Sequence, residues 1–196
     1  MLNVTMTKMK TLDRVIAGIP NNRKITHPAS GLSNYTVDGK VPEAVVFPNT
    51  IEEVSQLLTA SNKECGAVIP WGAGSQMNLG NLASRVETIV GTTRLNRVLE
   101  YEPADLTVIV ECGISLGVLQ TELAEHGQFL PLDPPNAKNA TLGGILACNT
   151  SGPRRAFFGT ARDRLIGIKV VQPSGVVTKG GGKVVKNVTG YDLSKL

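Results

Sequence analysis

The sequence predicts an α+β fold of two lobes, a small β-α-β lobe followed by a larger lobe with a mainly antiparallel sheet and helices. The chain has 196 residues, 41% of them hydrophobic, which is typical of a globular protein with a sizeable core. Before about Val90, short apolar runs flank one helical pattern. After it, alternating apolar residues separated by turn residues indicate antiparallel strands.

An irregular lead-in is expected over residues 1–41, with one short helix near Thr11–Ala17. This segment carries no sustained hydrophobic period. The strong signals begin at about Pro42, so we expect one domain over residues 42–196.

The small lobe is predicted from a strand, a helix and a second strand. Ala44–Phe47 is a short apolar strand, and Thr50 with Glu53 three residues later has the spacing of a capping box. The helix that starts there should have ended by Gly66. Ala67–Pro70 is the second strand, and a glycine loop follows it directly.

The larger lobe is predicted to open with a strand at Leu106–Val110. Ser115 offers a cap for a helix that ends by Gly127. Further along, the alternation from Ile166 and the turn residues that follow predict a hairpin that returns at Val177.

Glycine makes up about a tenth of the chain, 21 of 196 residues, against an average of about 7%. Gly72 and Gly74 lie directly after a strand, where a loop can turn its amides inward around an anion. The dinucleotide fingerprint is excluded because Met77 stands where its third glycine would be, and no phosphate loop of nucleotide hydrolases is present. A tight structural turn is the alternative for this loop.

A second glycine-containing segment, Thr141–Gly144, has a hydroxyl and two residues without side chains. Such a segment lets backbone donors approach a ligand, and the alternative is that it only allows close packing. Two thin surfaces separated in sequence would suit a long ligand with a pyrophosphate in its middle.

Composition excludes several other classes of protein. The net charge of +4 comes from scattered residues that do not alternate with aromatics, which argues against nucleic-acid binding. No apolar run is long enough to span a membrane, and the N-terminus lacks a signal-peptide pattern. Cys65, Cys112 and Cys148 suggest small reduced hydrophobes in a cytoplasmic protein, and no metal-ligand spacing is present.

Five blocks of the sequence carry a resemblance when they are taken in order. They are Pro70–Ser75, Asp133–Pro135, Thr141–Ala147, Arg154–Gly159 with Arg162–Asp163, and Val184–Leu193. Together they resemble the FAD-binding domain of the vanillyl-alcohol-oxidase/p-cresol-methylhydroxylase (PCMH-type) flavoprotein family. The last block and the segment 151–155 most resemble the FAD-binding E subunits of glycolate oxidases.

The resemblance implies a contact set for FAD. The segment from Trp71 to Gln76, helped by two residues after it, would wrap the pyrophosphate with backbone amides. A second group would line the flavin and ribityl side, and one strand backbone would meet the adenine. In this order the residues are Trp71, Gly72, Ala73, Gly74, Ser75, Gln76, Leu79 and Gly80; Asp133, Pro134, Thr141, Gly144, Asn149 and Ser151; and Ile168.

The resemblance also implies non-covalent FAD. Some members attach the flavin through a histidine at the position of Ser75, and a serine cannot form that bond. The replacement Gly74→Asp is expected to abolish FAD binding through bulk and charge against the diphosphate.

The implied function is that of the FAD-binding subunit of a 2-hydroxy-acid oxidoreductase, which oxidises glycolate or D-lactate and passes electrons to a partner. The implied partners are a second flavoprotein subunit and an iron–sulfur subunit, with a cytoplasmic location or one on the inner face of the membrane. Family members continue past the position of Leu196 into a substrate domain, so we expect a truncated domain with no catalytic base. A flavin-binding or assembly module without turnover, or a fragment of a D-lactate dehydrogenase, are the alternatives.

Other polar residues receive structural interpretations. Tyr191 is interpreted as a core aromatic and Asp192 as a turn or cap acceptor. His126 would interact with the dipole at a helix C-terminus. The arginines of the segment 154–164 would lie at the surface, pair with Asp163 or hold a carboxylate substrate.

Overall fold

The computed structural model describes residues 24–26 and 31–182, and these divide into two compact units. The first unit comprises the described residues up to Arg94 together with Val171–Val177. The second comprises Leu95–Val170 and the residues from Thr178 onward. The predicted helix near Thr11–Ala17 lies outside the described residues.

The first unit contains a mixed four-stranded sheet and one long helix. The strand order is β1-β2-β4-β3, with β2 and β3 both parallel to β4 and β1 antiparallel to β2. The predicted strand-helix-strand sequence is present, but β4 lies between its two strands in the sheet. The elements are β1 (Lys24–Thr26), a 3₁₀ turn (Leu32–Tyr35), β2 (Ala44–Val46), α1 (Ile51–Lys63), β3 (Val68–Trp71) and β4 (Thr88–Gly91).

Helix α1 starts where the sequence predicts. The Thr50 hydroxyl accepts a hydrogen bond from the Glu53 N–H at 3.2 Å, and the Glu53 carboxylate accepts from the Asn49 N–H at 2.9 Å. The helix ends at Lys63, before Gly66 as predicted, and Cys65 then adopts the left-handed conformation (φ 53°). Gly66 instead donates its N–H to the Ser61 carbonyl at 2.8 Å.

The sheet of the first unit is buried on both faces at its centre, where β2 and β4 are fully buried. Val46 and Val90 pack against Leu57 of α1 on one face. Val45 and Ile89 belong to a second cluster on the other face. Burial on both sides explains why these strands appear in the sequence as short continuous apolar runs.

The second unit contains two strand pairs and four helices among its described residues. The β5–β6 pair is antiparallel. In the other pair, Gln172 is hydrogen-bonded to Val176 and Gly182 to Ile166. The partners run in opposite directions along the chain, as in the predicted antiparallel hairpin. The elements are β5 (Val98–Glu102), a 3₁₀ turn (Pro103–Asp105), β6 (Thr107–Val110), α2 (Leu116–Ala124), α3 (Leu142–Cys148), α4 (Arg155–Phe158), α5 (Ala161–Arg164), β7 (Gly167–Val171) and β8 (Val177–Gly181).

Helix α2 is capped as predicted, since the Ser115 hydroxyl accepts from the Val118 N–H at 3.3 Å. Its buried side chains are Leu116, Leu119 and Leu123. Strand β5 and helices α3 to α5 are not predicted by the sequence pattern. Nowhere in the described part of the chain is there a helix with the length and apolar character needed to cross a membrane.

Candidate functional site

The glycine loop, residues 72–80, begins where β3 ends, and the parallel sheet holds the residue directly before the loop. The carbonyl of Trp71, the last residue of β3, accepts hydrogen bonds from the backbone N–H and the hydroxyl of Thr92 at 2.9 and 3.3 Å. The Trp71 ring also meets Tyr35 edge-on, with ring centroids 5.2 Å apart. The loop therefore leaves the sheet from a firmly held residue.

Gly74 is required by its own backbone and by the Trp71 ring. Its φ of 71° lies in the left-handed region that side chains disfavour. A Cβ atom at this position would lie 2.5–2.9 Å from three atoms of the Trp71 indole. Gly74 therefore has a structural reason to be glycine, since the loop folds back over the Trp71 ring at this position.

The backbone N–H groups of the loop are available as donors. Within residues 31–182, no hydrogen bond uses the N–H of Gly72, Ala73, Gly74, Ser75 or Gln76. Ala73 and Ser75 are exposed, and Gly72, Gly74 and Gln76 are half-buried. Successive unused amides are the donor set that binds an anion such as a diphosphate. The loop fits the pyrophosphate of FAD by this criterion.

The end of the loop is a tight turn. The Leu79 N–H donates to the Gln76 carbonyl at 3.2 Å, and the Leu79 side chain is exposed. Gly80 has a φ of 92° with open space where a Cβ would stand. Both residues, predicted to help hold the pyrophosphate, lie on the same exposed turn.

The segment Thr141–Gly144 differs from expectation in what its backbone can donate. The Leu142 and Gly143 N–H groups already donate to the carbonyls of Ile114 and Cys112 at 2.9 and 2.7 Å. The Gly144 N–H is directed at the buried Thr141 hydroxyl, 3.4 Å away, which caps α3. These amides are thus used within the protein, so the segment contributes shape and a thin surface rather than donors.

The two glycines of this segment have different surroundings. A Cβ at Gly143 would lie 2.8 Å from both the Cβ and the carbonyl oxygen of Cys112, whereas a Cβ at Gly144 would meet only the Thr141 hydroxyl at 3.1 Å. Close packing therefore explains Gly143. Gly144 is less obstructed, because a single side-chain atom lies within 4 Å of that position.

Asp133 organises the loop that follows α3. Its two carboxylate oxygens accept from the backbone N–H groups of Gly152 and Arg154 at 3.1 and 3.0 Å. Gly152 lies so close that a Cβ there would come within 2.6 Å of the Asp133 Cγ. The neighbouring Pro134 is buried. The carboxylate therefore shapes the segment 149–154, in which further predicted contact residues lie.

Asn149 and Ser151 lie on this loop at the end of α3. Asn149 ends the helix in the left-handed conformation (φ 45°), and its side-chain oxygen accepts from the Arg162 N–H at 3.2 Å. The Ser151 hydroxyl donates to the Asn149 carbonyl at 3.4 Å. Between them, the buried Thr150 Oγ1 has no hydrogen-bond partner among the residues that the structure describes. Thr150 was not singled out from the sequence, although it belongs to the same hydroxyl-rich segment.

The predicted contact residues fall into two sets. Trp71 to Gly80 belong to the first unit, and those from Asp133 to Ile168 to the second. Within the second unit, Asp133, Asn149 and Ser151 meet around one loop, while the half-buried Ile168 is on strand β7.

The arginines of the segment 154–164 have contacts of their own. The Arg154 guanidinium lies over the Phe129 ring, 5.9 Å from its centroid. Arg164 donates to the Phe158 carbonyl. Asp163 accepts from the N–H and the hydroxyl of Thr160 at 2.7 and 2.9 Å, which caps α5. These contacts of Asp163 serve helix capping.

Other residues considered from the sequence take structural places. His126 follows α2 and meets the Tyr101 ring edge-on at 5.1 Å. The three cysteines are exposed rather than packed as small hydrophobes, because two of them lie at helix ends. Tyr191 and Asp192, in the fifth block, lie outside the described residues. No group of metal-ligating side chains is found in the part that the structure describes.

One ion pair closes the open end of the β5–β6 pair. The Arg97 guanidinium donates to both carboxylate oxygens of Glu111 at 3.1 and 2.7 Å, and the Arg97 backbone N–H adds a bond at 2.9 Å. These hydrogen bonds hold the pKa of the Glu111 carboxyl below its ordinary value. They also raise the pKa of Arg97.

Comparison with known proteins identifies the family. The sequence model of a protein family described as FAD binding domain matches residues 42–181 of this chain. Glycolate oxidase subunit GlcE of Escherichia coli (strain K12) is 39% identical over 100 residues, which cover 50% of this chain and 29% of that protein. The mitochondrial D-lactate dehydrogenase (cytochrome) of Arabidopsis thaliana is 36% identical over 156 residues, covering 80% of this chain and 27% of that protein.

A third relative, glycolate oxidase subunit GlcD of Bacillus subtilis (strain 168), is 31% identical over 156 residues, covering 80% of this chain and 33% of that protein. The chain therefore spans about a third of the length of these relatives.

Solved structures share the fold. An alkyldihydroxyacetonephosphate synthase superposes with a TM-score of 0.77 at 22% identity, covering 95% of this chain and 39% of that one. A p-cresol methylhydroxylase with substrate bound gives a TM-score of 0.73 at 19% identity, covering 91% and 36%. The predicted α+β fold of PCMH type is confirmed by these likenesses and by the mixed helices and sheets. The chain, with its glycine loop of unused amides, belongs to the FAD binding domain family.

Proposed function

We propose that this chain is the FAD-binding part of a 2-hydroxy-acid oxidoreductase of the glycolate oxidase type. Glycolate and D-lactate are the candidate substrates, because the relatives include glycolate oxidase subunits and a D-lactate dehydrogenase. FAD, when bound, supplies the acceptor for the hydride that such a substrate loses.

The observation that carries the proposal is the run of unused amides from Gly72 to Gln76. Five neutral donors at an exposed turn suit a diphosphate without needing a cation. Leu79 and Gly80 would support the same group. On the second unit, Pro134, Gly144 and Ser151 would border the flavin and ribityl side together with Asp133, Thr141 and Asn149. The Ile168 backbone would meet the adenine.

Direct titration tests the cofactor assignment. Purified protein is titrated with FAD by calorimetry and by the change in flavin fluorescence, with riboflavin as the comparison ligand. We expect saturable binding of FAD that is tighter than that of riboflavin, because riboflavin lacks the diphosphate. An affinity for riboflavin equal to that for FAD would contradict the role of the loop.

Anaerobic reduction tests the substrate class. Flavin bound to the chain, or to the chain with its partner subunits, is mixed with glycolate, D-lactate or L-lactate, and the absorbance of the oxidised flavin is followed. We expect bleaching by one of the first two acids in the assembled enzyme. Bound FAD that neither acid bleaches in the complete assembly would favour a flavin-binding or assembly module without turnover.

We also propose that electrons leave through a second flavoprotein subunit and an iron–sulfur subunit. The support is that two of the relatives, from two different organisms, are named as glycolate oxidase subunits GlcD and GlcE, which suggests an enzyme of several subunits. Such an assembly would lie in the cytoplasm or on the inner face of the membrane. Two measurements test this proposal. The chain should copurify with those subunits, and substrate should reduce the subunits only when the chain is present.

The flavin is proposed to be held without a covalent bond, because the loop offers Ser75 rather than a histidine. Precipitation of the holoprotein in acid should release all flavin into the supernatant. Flavin that stays with the pellet would contradict this.

A further inference from the structure

The run of unused amides from Gly72 to Gln76 lies between two side chains that pack on one hydrophobic cluster of the first unit. Trp71 directly precedes the run and Met77 directly follows it, and both pack against that cluster. The buried members of the cluster are Leu32, Val37, Val45, Val86 and Ile89. Packing within a single unit therefore sets the positions of both ends of the run.

The Trp71 ring also limits the middle of the run. A Cβ atom at Gly74 would lie 2.5–2.9 Å from three atoms of the indole, so the backbone of Gly74 passes directly over the ring. A different orientation of the indole would change the space that is left to this backbone. The orientation of the Trp71 ring therefore determines where the amides of the run lie.

Tyr35 holds the Trp71 ring from the side. The Tyr35 ring meets the Trp71 ring edge-on, with centroids 5.2 Å apart and planes at 63°. It also meets the Phe47 ring edge-on, with centroids 6.1 Å apart. Phe47 is confined in turn, because a Cβ atom at Gly91, the last residue of β4, would collide with its ring. Tyr35 therefore contacts both a confined ring and the ring beneath the loop.

The turn that presents Tyr35 is itself fixed. Tyr35 is the last residue of the 3₁₀ turn, and the first residue, Leu32, is buried in the cluster. After the turn, the backbone N–H and the hydroxyl of Thr36 both donate to the Ser33 carbonyl, at 3.4 and 2.7 Å. The backbone on each side of Tyr35 is therefore restrained, which restricts its ring to the place beside Trp71.

We propose that Tyr35 is a positioning residue for the diphosphate of FAD, acting through the Trp71 ring that it holds beneath Gly74. This rests on the proposed binding of the diphosphate by the glycine loop. Tyr35 does not touch the cofactor in this assignment. It keeps the indole in place, so that the amides are arranged before the cofactor arrives and the loop loses less conformational entropy on binding.

Removal of the Tyr35 ring tests this role. In Tyr35→Ala, we expect the affinity for FAD to fall by about three- to tenfold, the effect of one lost aromatic pair. Calorimetry measures the affinity, at a temperature where circular dichroism shows the variant to be folded. The loss should appear as a less favourable entropy of binding, because the loop then has to be ordered by the cofactor. Tyr35→Phe keeps the ring and should bind FAD within about twofold of wild type.

Matched variants separate positioning from a general loss of stability. Leu58 is half-buried against the cluster on the other face of the same sheet. Leu58→Ala should therefore lower the melting temperature but leave the affinity for FAD within about twofold of wild type. Asn34→Ala changes an exposed neighbour on the 3₁₀ turn and should change neither quantity. Tyr35→Leu keeps apolar bulk without a ring; it serves if the alanine variant does not fold, with an expected loss of about threefold.

Three results would overturn the proposal. The first is an affinity for FAD within about twofold of wild type in the folded variant that lacks the ring. The second is a loss in Tyr35→Phe equal to that in Tyr35→Ala, and the third is an equal loss in Leu58→Ala. A wild-type chain that binds no FAD would instead refute the proposed function itself, which is a different result in the same experiment.

Discussion

At the scale of single residues, Gly74 combines a packing role with a place in the loop proposed to bind FAD. The Trp71 indole occupies the space that any side chain at Gly74 would need. The replacement Gly74→Asp would therefore displace the ring as well as add charge. Loss of FAD binding in that variant would not distinguish the two causes, so the charge must be introduced at a neighbour whose side chain is free of the ring.

Ser75→Asp is that variant. Ser75 is exposed, so an added carboxylate should leave the fold intact while it repels the diphosphate. We expect the dissociation constant for FAD to rise by about tenfold or more, with an unchanged melting temperature of the apoprotein. Ser84→Asp, the same change at an exposed serine outside the loop, is the control and should bind FAD normally. Equal affinity in both variants would refute the loop assignment.

Glu111 gives a pH-dependent prediction. Its carboxyl has a lowered pKa because of the hydrogen bonds from Arg97. A carboxyl whose pKa is lower in the folded than in the unfolded chain stabilises the fold at pH values above its unfolded pKa. This contribution is lost as the pH falls through the pKa of the carboxyl in the folded chain. Glu111→Gln should therefore melt at a lower temperature than wild type at pH 7, with the difference shrinking below about pH 4.

Thermal unfolding followed by circular dichroism across this pH range measures the effect. Glu125→Gln, at an exposed residue after α2, is the control and should show no comparable dependence. A difference for Glu111→Gln that stays constant down to pH 3 would show that the ion pair does not contribute through the charge of Glu111.

Asp133 shows what sequence reasoning misses at this scale. The blocks placed it beside the cofactor, but the same carboxylate accepts from two backbone amides 19 and 21 residues away. Such a contact depends on tertiary proximity, which local pattern does not encode. Gly74, by contrast, is recognisable from the sequence, because the left-handed φ that it adopts shortly after a strand favours glycine.

At the scale of elements, the two glycines of α3 make a matched pair. Gly143→Ala should destabilise the protein by about 1–3 kcal/mol, because its methyl group would collide with Cys112. Gly144→Ala meets only the Thr141 hydroxyl, at 3.1 Å, and alanine favours the helix, so its free energy of unfolding should fall by less than that of Gly143→Ala. Urea denaturation measures both. A Gly143→Ala variant as stable as Gly144→Ala would contradict the packing of α3 on Cys112.

The elements also show where pattern succeeds and where it fails. Helix α1 was predictable because Thr50, Glu53 and the apolar spacing all agree. Helix α3 was not, because its sequence of small residues has little periodicity and is stabilised by its cap and by Ile145 in the core. The position of β4 between β2 and β3 depends on pairing between distant segments of the chain. The local sequence around a strand does not show which other strands it pairs with.

At the scale of the whole molecule, the cofactor should stabilise the fold. FAD binds the native chain and not the unfolded one, so free FAD at 100 times its dissociation constant should add about 2.7 kcal/mol to the free energy of unfolding. Urea denaturation with and without FAD measures this. The Ser75→Asp variant at the same FAD concentration should gain less. No stabilisation of the wild-type chain would contradict specific binding.

The two units contribute different chemistry to this prediction. In the first, the loop after β3 offers backbone donors. In the second, the amides at the start of α3 are already used, so its surface offers shape, small residues and the carboxylate-held loop. Variants that remove backbone donors from the loop should therefore weaken binding of the diphosphate. A larger residue at Gly144 should instead weaken binding of the flavin and ribityl part of the ligand.

The position of Trp71 gives the protein an internal optical probe. It is the sole tryptophan of the chain, and it directly precedes the residues whose amides are proposed to hold the diphosphate. Indole emission overlaps flavin absorption, so occupancy of the loop should appear as resonance energy transfer from one defined donor. Binding can then be followed without a label, and the residue that anchors the loop also reports when the loop is filled.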